Sequence, residues 1–162
     1  MANIYSAVDW AIAVAEDDTH GYSQSNRNGP DYDCSSFVST ALMKGGFKIS
    51  PYSWTGNMVY QLKADGFYEV PIDSERQLGD IFINEQHHVI MCIDAYRVVY
   101  ASINEFGGVT GGKPGDQTGR EILIGNYYKP SYGWDYHLRP PKSSYEQEQE
   151  KPKEKRTLMI RW

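Results

Sequence analysis

The chain has 162 residues, of which 40% are hydrophobic and 23% charged, which is enough for one folded domain with a sizeable core. Its net charge of −5 and isoelectric point near 5.3 argue against nucleic acid as a partner, because nucleic-acid binders usually carry a basic face. No apolar run is long enough to span a membrane, so no membrane partner is predicted either. Residues 1–18 lack the basic start of a secretory signal.

The first part of the chain has the apolar spacing of helices. Residues 3–16 form an amphipathic pattern, and a polar stretch rich in Gly, Asn, Asp and Ser predicts a loop over 17–33. A second helix is predicted to begin near Cys34 and to end at a pair of glycines. A third helix is predicted over about 55–64.

The rest of the domain has the alternation of strands. Six short β-type runs are separated by turn residues: 67–72, 79–84, 87–94, 96–103, 121–125 and 134–139. Helices first and strands after predict an α+β domain, with N-terminal helices packed on a mainly antiparallel β-sheet. The glycine-rich stretch 107–119 is predicted to be a flexible loop, because it lacks the ending of a phosphate-binding loop.

The amino-acid composition of the sequence changes near residue 140. Residues 1–140 are predicted to be the folded domain, and 141–156 have almost no apolar residues and are typical of a polar linker. Residues 157–162, "TLMIRW", become apolar again. We hypothesise that they begin a second, C-terminal module that is missing from this chain.

Cys34 is the first candidate for chemistry. It follows Asp33, a good helix cap, so it is predicted to lie in the first helical turn, where unpaired N–H groups and the helix dipole favour a thiolate. The same N–H groups are candidates for holding an oxyanion. His88 begins a strand able to pack on that helix, which suggests a nucleophile and base of the papain type. The alternative is a core thiol and a surface imidazole.

The remaining cysteine and histidine candidates have structural interpretations. Cys92 lies inside an apolar strand and is predicted to be a core residue in a reduced state, since it makes no CxxC pair with Cys34. His87 faces the opposite side of the strand from His88 and is predicted to meet solvent. No cysteine or carboxylate lies at ligand spacing from this histidine pair, so no metal site is predicted there.

A longer set of residues resembles the NlpC/P60 superfamily of cysteine peptidases, and within it the phage peptidoglycan hydrolases of the amidase-5 group. The resemblance spans roughly residues 3–139 in one order. The residues that carry it are Tyr22-Ser23, Arg27, Gly29-Pro30, Asp33-Cys34-Ser35-Ser36, Trp54, Gly79-Asp80 and the run from His88 to Asp94. It implies a papain-like fold, Cys34 as nucleophile, His88 as base, and cleavage of an amide bond in bacterial peptidoglycan without a cofactor.

The resemblance also suggests residues that bind substrate. Tyr22 matches a tyrosine that borders the nucleophile, and Asp33 and Ser35 flank the nucleophile as candidates for holding the amine end of a peptide. The alternative is that Asp33 only caps the helix and Ser35 only occupies its first turn. Aromatic residues are candidates for lining a groove for sugar or peptide, or for packing alone: Tyr52, Trp54, Tyr127, Tyr128 and Tyr132.

The third catalytic member stays open. Superfamily members usually place a His or another polar residue on the next strand to orient the base, and Tyr100 stands at the matching position, twelve residues after His88. A phenol accepts a hydrogen bond but is a poor partner for an imidazolium charge. Asn104 shares the strand face of Tyr100 if the strand continues, and is the alternative orienting residue. Asp31 and Asp33 resemble a calcium-binding pair in other amidases, although loop capping is the simpler interpretation.

These observations predict a phage endolysin-type hydrolase, either an N-acetylmuramoyl-L-alanine amidase or an endopeptidase that cuts a D-glutamyl bond of the stem peptide. Without a signal peptide, such an enzyme waits in the host cytoplasm and reaches the wall after holin-mediated release. The missing module is then expected to bind the cell wall. The alternatives are a non-catalytic wall-binding module on the same fold and an intracellular cysteine protease or acyltransferase.

Overall fold

The computed structural model describes residues 1–103, 107–109, 112, 114–115 and 121–146. Three α-helices come first along these residues: α1 (Ile4–Ala15), α2 (Cys34–Lys44) and α3 (Thr55–Ala64). Six β-strands follow: β1 (Tyr68–Val70), β2 (Ile81–Asn84), β3 (His88–Cys92), β4 (Arg97–Ala101), β5 (Ile122–Asn126) and β6 (Tyr136–Arg139). The α+β class predicted from the sequence is confirmed.

The six strands form one sheet with the order β1-β6-β2-β3-β4-β5. Every neighbouring pair is antiparallel. β2 and β3 are joined by a short turn, with Asn84 paired to His88. The last strand, β6, returns to lie between β1 and β2, which places β2 and β3 in the middle of the sheet.

Alternation along the central strands gives the sheet two apolar faces, because successive side chains of a strand point to opposite sides. In β3, Val89 and Met91 belong to the main core, into which α1 and α2 also bury their apolar residues. Ile90 and Cys92 face the other way and pack with Phe82 in a second cluster. The predicted core position of Cys92 is confirmed by its complete burial.

Helix α2 lies against β3 and β4, so its N-terminus lies near the start of β3. That packing depends on a fully buried stripe on α2, which includes Phe37, Val38, Ala41 and Leu42. Burying such side chains stabilises a fold by roughly 1.5–3 kcal/mol each. This packing therefore fixes the position of the helix start that carries Cys34 relative to the strand that begins with His88.

A short 3₁₀ helix, Lys142–Tyr145, follows β6 within the stretch predicted to be a linker. The Tyr145 hydroxyl donates to the carbonyl of Leu78, and its ring meets Tyr5 of α1 edge-on at 6.0 Å. The first residues after 140 thus pack on the domain. The rest of the predicted linker and residues 157–162 lie outside the described residues, so the linker and the second module stay predictions.

Candidate active site

Cys34 is the first residue of α2, as the sequence predicts. The Asp33 carboxylate caps the helix by accepting from the Ser36 N–H at 2.9 Å, and the Ser36 hydroxyl accepts from the Asp33 N–H at 3.0 Å. This reciprocal capping box fixes the helix start, because it satisfies two backbone donors that would otherwise lack partners. The Cys34 side chain keeps part of its surface accessible.

The backbone N–H groups of Ser35 and Val89 lie near enough to Cys34 to lower the pKa of its thiol. Val89 is the residue after His88, so the start of β3 lies near the start of α2. His88 itself is partly buried. The structure therefore brings together the elements that carry the two residues predicted to be nucleophile and base.

Burial dominates the electrostatics of both groups. It raises the pKa of the Cys34 thiol to about 12, with the Asp33 charge adding to the effect, although the two N–H groups and Arg27 act in the opposite direction. It lowers the pKa of His88 to about 4. Between these values the resting pair is a neutral thiol and a neutral imidazole. The thiolate predicted from the helix dipole is thus not the resting state, because desolvation outweighs the dipole.

Tyr22 is almost fully buried beside the nucleophile. The Gln24 amide donates to its hydroxyl at 3.4 Å, and the backbone N–H of Cys34 lies near enough to act on the pKa of the phenol. Burial, followed by the nearby Cys34, raises the pKa of this phenol, so it keeps its proton. The Tyr22 hydroxyl therefore lies near the first helical N–H group, which the sequence predicts as a candidate for holding an oxyanion.

Arg27, from the loop before α2, ties the helix start to a neighbouring segment. Its guanidinium donates to the Asp33 carboxylate and to the Ser35 hydroxyl, each at 2.9 Å. It also donates to the carbonyls of Tyr52, at 3.2 Å, and Ser53. The side chains of Asp33 and Ser35 are therefore engaged in holding this corner of the site, which is the structural alternative that the sequence left open.

Trp54 is one of the exposed aromatic residues, with 58% of its surface accessible. It directly precedes α3, where its N–H donates to the Asn57 side chain at 3.0 Å, and its ring lies against Gly56. The adjacent Ser53 carbonyl is the one that Arg27 holds. Trp54 thus lies on the segment fixed to the helix start, and its ring faces solvent.

The hydrogen-bond partner of His88 is Tyr128, with 2.9 Å between the imidazole Nε2 and the phenol oxygen. Tyr100 meets the imidazole edge-on, with ring centroids 5.7 Å apart. Strand β4 ends at Ala101, and Asn104 lies outside the described residues. The sequence predicts that the orienting residue, Tyr100 or Asn104, lies on the strand that follows β3. Tyr128 lies instead in the segment after β5.

Sequence reasoning noted Tyr128 only as a groove or packing residue. Its signal in the sequence is weak, since it is one of 13 tyrosines and lies 40 positions after His88. A search for hydroxyl or amide groups directly after every strand, rather than on the neighbouring strand alone, would have included it.

An aromatic shelf borders the site on one side. We use this name for His87 and Tyr132, whose rings stack with centroids 4.4 Å apart and planes at 25°. Both are exposed, as predicted for His87, and Tyr132 meets Trp134 edge-on at 6.5 Å. Burial, and then the nearby Cys34, raises the pKa of Tyr132. The shelf therefore lies within electrostatic range of the thiol.

The acidic pair of the preceding loop has protein partners. One oxygen of Asp31 accepts from the N–H groups of Gly21 and Gly115, at 2.9 and 2.8 Å, while Asp33 is engaged by Arg27. Within the described ranges, no group of three or more His, Cys, Asp or Glu side chains is arranged to hold a metal ion. For Asp31, the loop-stabilising interpretation accounts for the observed contacts.

Comparison with models of known protein families identifies the family of this chain. The model of a family described as bacteriophage peptidoglycan hydrolase matches residues 3–109, which is most of the domain. The chain belongs to this family of phage hydrolases. A second model, described as an endolysin-like domain, matches residues 98–152. Membership supports a hydrolase that acts on peptidoglycan of the bacterial cell wall, as the resemblance in the sequence implies.

A solved structure confirms the fold. The P60 domain of an antigen from M. avium subspecies paratuberculosis superimposes with a TM-score of 0.53 at 18% identity, covering 85% of this chain and 93% of that domain. At this identity the likeness establishes the NlpC/P60 fold alone. No curated protein matches the phage hydrolase sequence significantly. Among the described helices, none has the length and apolar character needed to cross a membrane.

Proposed function

We propose that this member of the phage hydrolase family cleaves an amide bond of peptidoglycan, with Cys34 as nucleophile and His88 as general base and acid. The observation that carries the proposal is the approach of the start of β3 to the start of α2: α2 packs on β3, and the Val89 N–H lies near enough to Cys34 to lower the pKa of its thiol. A thiol mounted on a helix start beside a histidine is the arrangement that nucleophilic amide cleavage needs.

The resting pair is neutral, so the proton moves during attack. The Cys34 sulfur forms a bond to the amide carbonyl carbon while its proton passes to the His88 imidazole. The resulting imidazolium protonates the nitrogen of the departing amine as the carbon–nitrogen bond breaks. A water molecule then attacks the thioester, gives one proton to His88, and releases the acid product with the thiol restored.

Tyr22 is the proposed donor to the oxyanion of the tetrahedral intermediate. Its oxygen accepts the side-chain donor of Gln24, which leaves its own hydrogen to donate. The hydroxyl is rigid because the tyrosine is buried. A fixed donor of this kind stabilises developing charge without reorganisation, and its removal typically costs ~10²–10³ in kcat.

The substrate bond is proposed from the family resemblance: the muramoyl–L-alanine amide or a D-glutamyl bond within the stem peptide. The exposed aromatic surfaces of Trp54 and of the aromatic shelf suit a glycan or peptide ligand. We further propose that the protein is made in the host cytoplasm, reaches the wall after holin-mediated release, and is joined to a C-terminal wall-binding module.

The test is incubation of the purified protein and its Cys34→Ala variant with purified Gram-positive peptidoglycan, followed by mass spectrometry of the soluble products. Free stem peptides and intact glycan identify the muramoyl amidase, while fragments cut inside the stem identify the endopeptidase. The variant is expected to release neither, with a rate at least ~10³-fold lower because the nucleophile is absent.

Cys92 offers a matched control, because it is the other cysteine and is fully buried in the second apolar cluster. Cys92→Ala is expected to retain hydrolysis after correction for folded protein. Products from the Cys34→Ala variant would exclude Cys34 as nucleophile. An absence of products from the parent protein would instead favour the non-catalytic wall-binding module.

A further inference from the structure

Tyr128 holds the position on the imidazole that an orienting residue occupies. The phenol oxygen lies 2.9 Å from His88 Nε2, and the two rings are inclined by only 29°. The tyrosine follows β5 by two residues, whereas His88 begins β3. Two separate parts of the sheet therefore converge on one hydrogen bond.

The surroundings fix the phenol in place. Tyr128 lies in partial burial with its ring 5.4 Å from Tyr100 and 6.1 Å from Trp134, and the Trp134 indole N–H donates to the Tyr128 carbonyl at 3.3 Å. Burial raises the pKa of the phenol, so it remains neutral at any working pH. The hydroxyl is thus held by packing on its ring and by a bond to its backbone.

We propose that Tyr128 is the positioning residue of the catalytic pair: its oxygen accepts the Nε2–H of His88 and thereby leaves Nδ1 unprotonated for proton transfer. The inference rests on the proposed function, since it assigns a role toward His88 as base. An imidazole has two nitrogens, and in the neutral ring only one carries hydrogen. With Nε2 engaged by Tyr128, Nδ1 is the nitrogen that remains for the Cys34 proton.

The proton count is consistent with this assignment. When the thiol proton moves to Nδ1, the ring becomes an imidazolium whose Nε2–H is already bound to the Tyr128 oxygen. The phenol keeps its own hydrogen throughout and gains no charge. When Nδ1–H passes to the leaving amine, the starting tautomer returns, so Tyr128 acts through orientation rather than as a proton relay.

Tyr128 fits this role better than Tyr100. The Tyr100 ring presents its edge to the imidazole at 86°, a packing contact, while the hydrogen bond is made by Tyr128. No carboxylate within the described residues forms an ion pair with His88, in contrast to the buried His137. The rings that face the imidazole are those of two tyrosines, Tyr100 and Tyr128, and the indole of Trp134.

The first test uses the parent protein and does not depend on activity. Nitrogen-15 NMR of His88 in labelled protein distinguishes the two neutral tautomers by their chemical shifts. We expect Nε2 to carry the hydrogen near pH 7. A ring protonated on Nδ1 would overturn the proposal, whatever the hydrolysis assay shows.

The second test is Tyr128→Phe, which removes the hydroxyl and retains the ring. We expect kcat to fall roughly 10- to 100-fold, the loss typical of a partner that orients a functional histidine, with KM changed less than about 2-fold. The Nε2–H tautomer of His88 is expected to lose its dominance in the same variant. A merely structural role would leave the tautomer unchanged.

Tyr127→Phe is the matched control, because this neighbouring tyrosine packs on Phe82 and under Arg76, at 5.1 and 3.9 Å. It is expected to keep the parent kcat and tautomer. Full activity in Tyr128→Phe, or a loss seen only in Tyr100→Phe, would overturn the proposal. If the parent hydrolyses nothing, the proposed function fails, and the NMR result still decides whether Tyr128 fixes the ring.

Discussion

Two histidines on strands that flank β2 show how differently one residue type is used in this fold. His137 of β6 is fully buried, and its Nε2 lies 2.6 Å from the Asp80 carboxylate, which also accepts two hydrogen bonds from Arg139. His88 of β3 is partly buried and meets the neutral phenol of Tyr128. The contrast is between a buried, charged cluster and a partly buried, uncharged pair.

The charged cluster is part of the scaffold. Asp80 also accepts the Gln77 N–H at 3.0 Å, and His137 Nδ1 faces the Pro71 carbonyl at 3.2 Å. The polar groups of the cluster thus bond to other parts of the fold. A histidine–carboxylate pair is therefore not by itself a sign of catalysis, because structural ion pairs form the same arrangement.

Replacing each histidine by glutamine is expected to separate the two roles most clearly. His88→Gln should lower hydrolysis by roughly 10²–10⁴-fold, because the general base is lost, and should leave the melting temperature nearly unchanged. Release of soluble products from peptidoglycan and thermal unfolding measure the two effects. The variant keeps an amide group at the site, so folding is preserved.

His137→Gln is the counterpart, expected to weaken stability by about 1–3 kcal/mol because a buried hydrogen bond to a carboxylate is lost. Its activity per folded molecule should equal that of the parent. An inactive but stable His137→Gln protein would place this buried cluster in the mechanism and end the contrast between the two histidines.

Asp80→Asn removes the charge at the centre of the cluster and is expected to destabilise the fold more than His137→Gln. The Arg139 guanidinium would lose its ion-pair partner inside the fold, which typically costs about 3–5 kcal/mol. Urea denaturation measures the change in the free energy of unfolding. Asp73→Asn is the control: that side chain is 90% exposed and its ion pair with Lys129 is 3.9 Å long, so a change below about 0.5 kcal/mol is expected. Equal effects of the two substitutions would show that Asp80 is not a structural centre.

Much of the architecture could be predicted because it follows from local patterns. The start of α2 at Cys34 comes from Asp33 as a cap, and the bounds of α3 agree with the prediction over 55–64. The strand runs were located by alternation, although β4 ends at Ala101, earlier than the predicted 96–103. The order of strands along the sheet requires the return of β6 beside β2, which no local pattern contains.

The site was predictable only where its residues are local in sequence or carried by the family resemblance. Cys34 and its neighbours in the helix start follow from capping chemistry. The partner of His88 does not, because strand alternation can relate a residue only to the next strand, and Tyr128 reaches the imidazole from beyond β5. Desolvation of Cys34 also depends on tertiary packing, which is why the predicted thiolate differs from the neutral thiol of the fold.

The smallest expected effect concerns pH and tests the uncharged surroundings of His88. Burial lowers its pKa from 6.5 to about 4, so the free base persists in mildly acidic solution. We expect kcat/KM to stay near its maximum between about pH 7 and 5 and to fall as pH drops through about 4. At pH 5.5, an imidazole with an ordinary pKa would already have lost about tenfold of its free base. Measuring kcat/KM of peptidoglycan hydrolysis between pH 3.5 and 8 locates the pH at which activity falls.

The stability of the protein must be measured over the same pH range, because the lowered pKa of His88 also changes the free energy of unfolding. The unfolded chain binds a proton on His88 near pH 6.5, and the folded protein binds it only near 4, so folding loses stability as pH falls between these values. Circular dichroism at each pH separates unfolding from loss of the base. If the activity of fully folded protein fell near pH 6.5 instead, the resting imidazole would be charged or solvated rather than buried against Tyr128. Tyr128→Phe is expected to keep the fall in activity near pH 4 or to move it lower, because the burial that lowers the pKa of His88 remains and the proposed acceptor of its Nε2–H is removed.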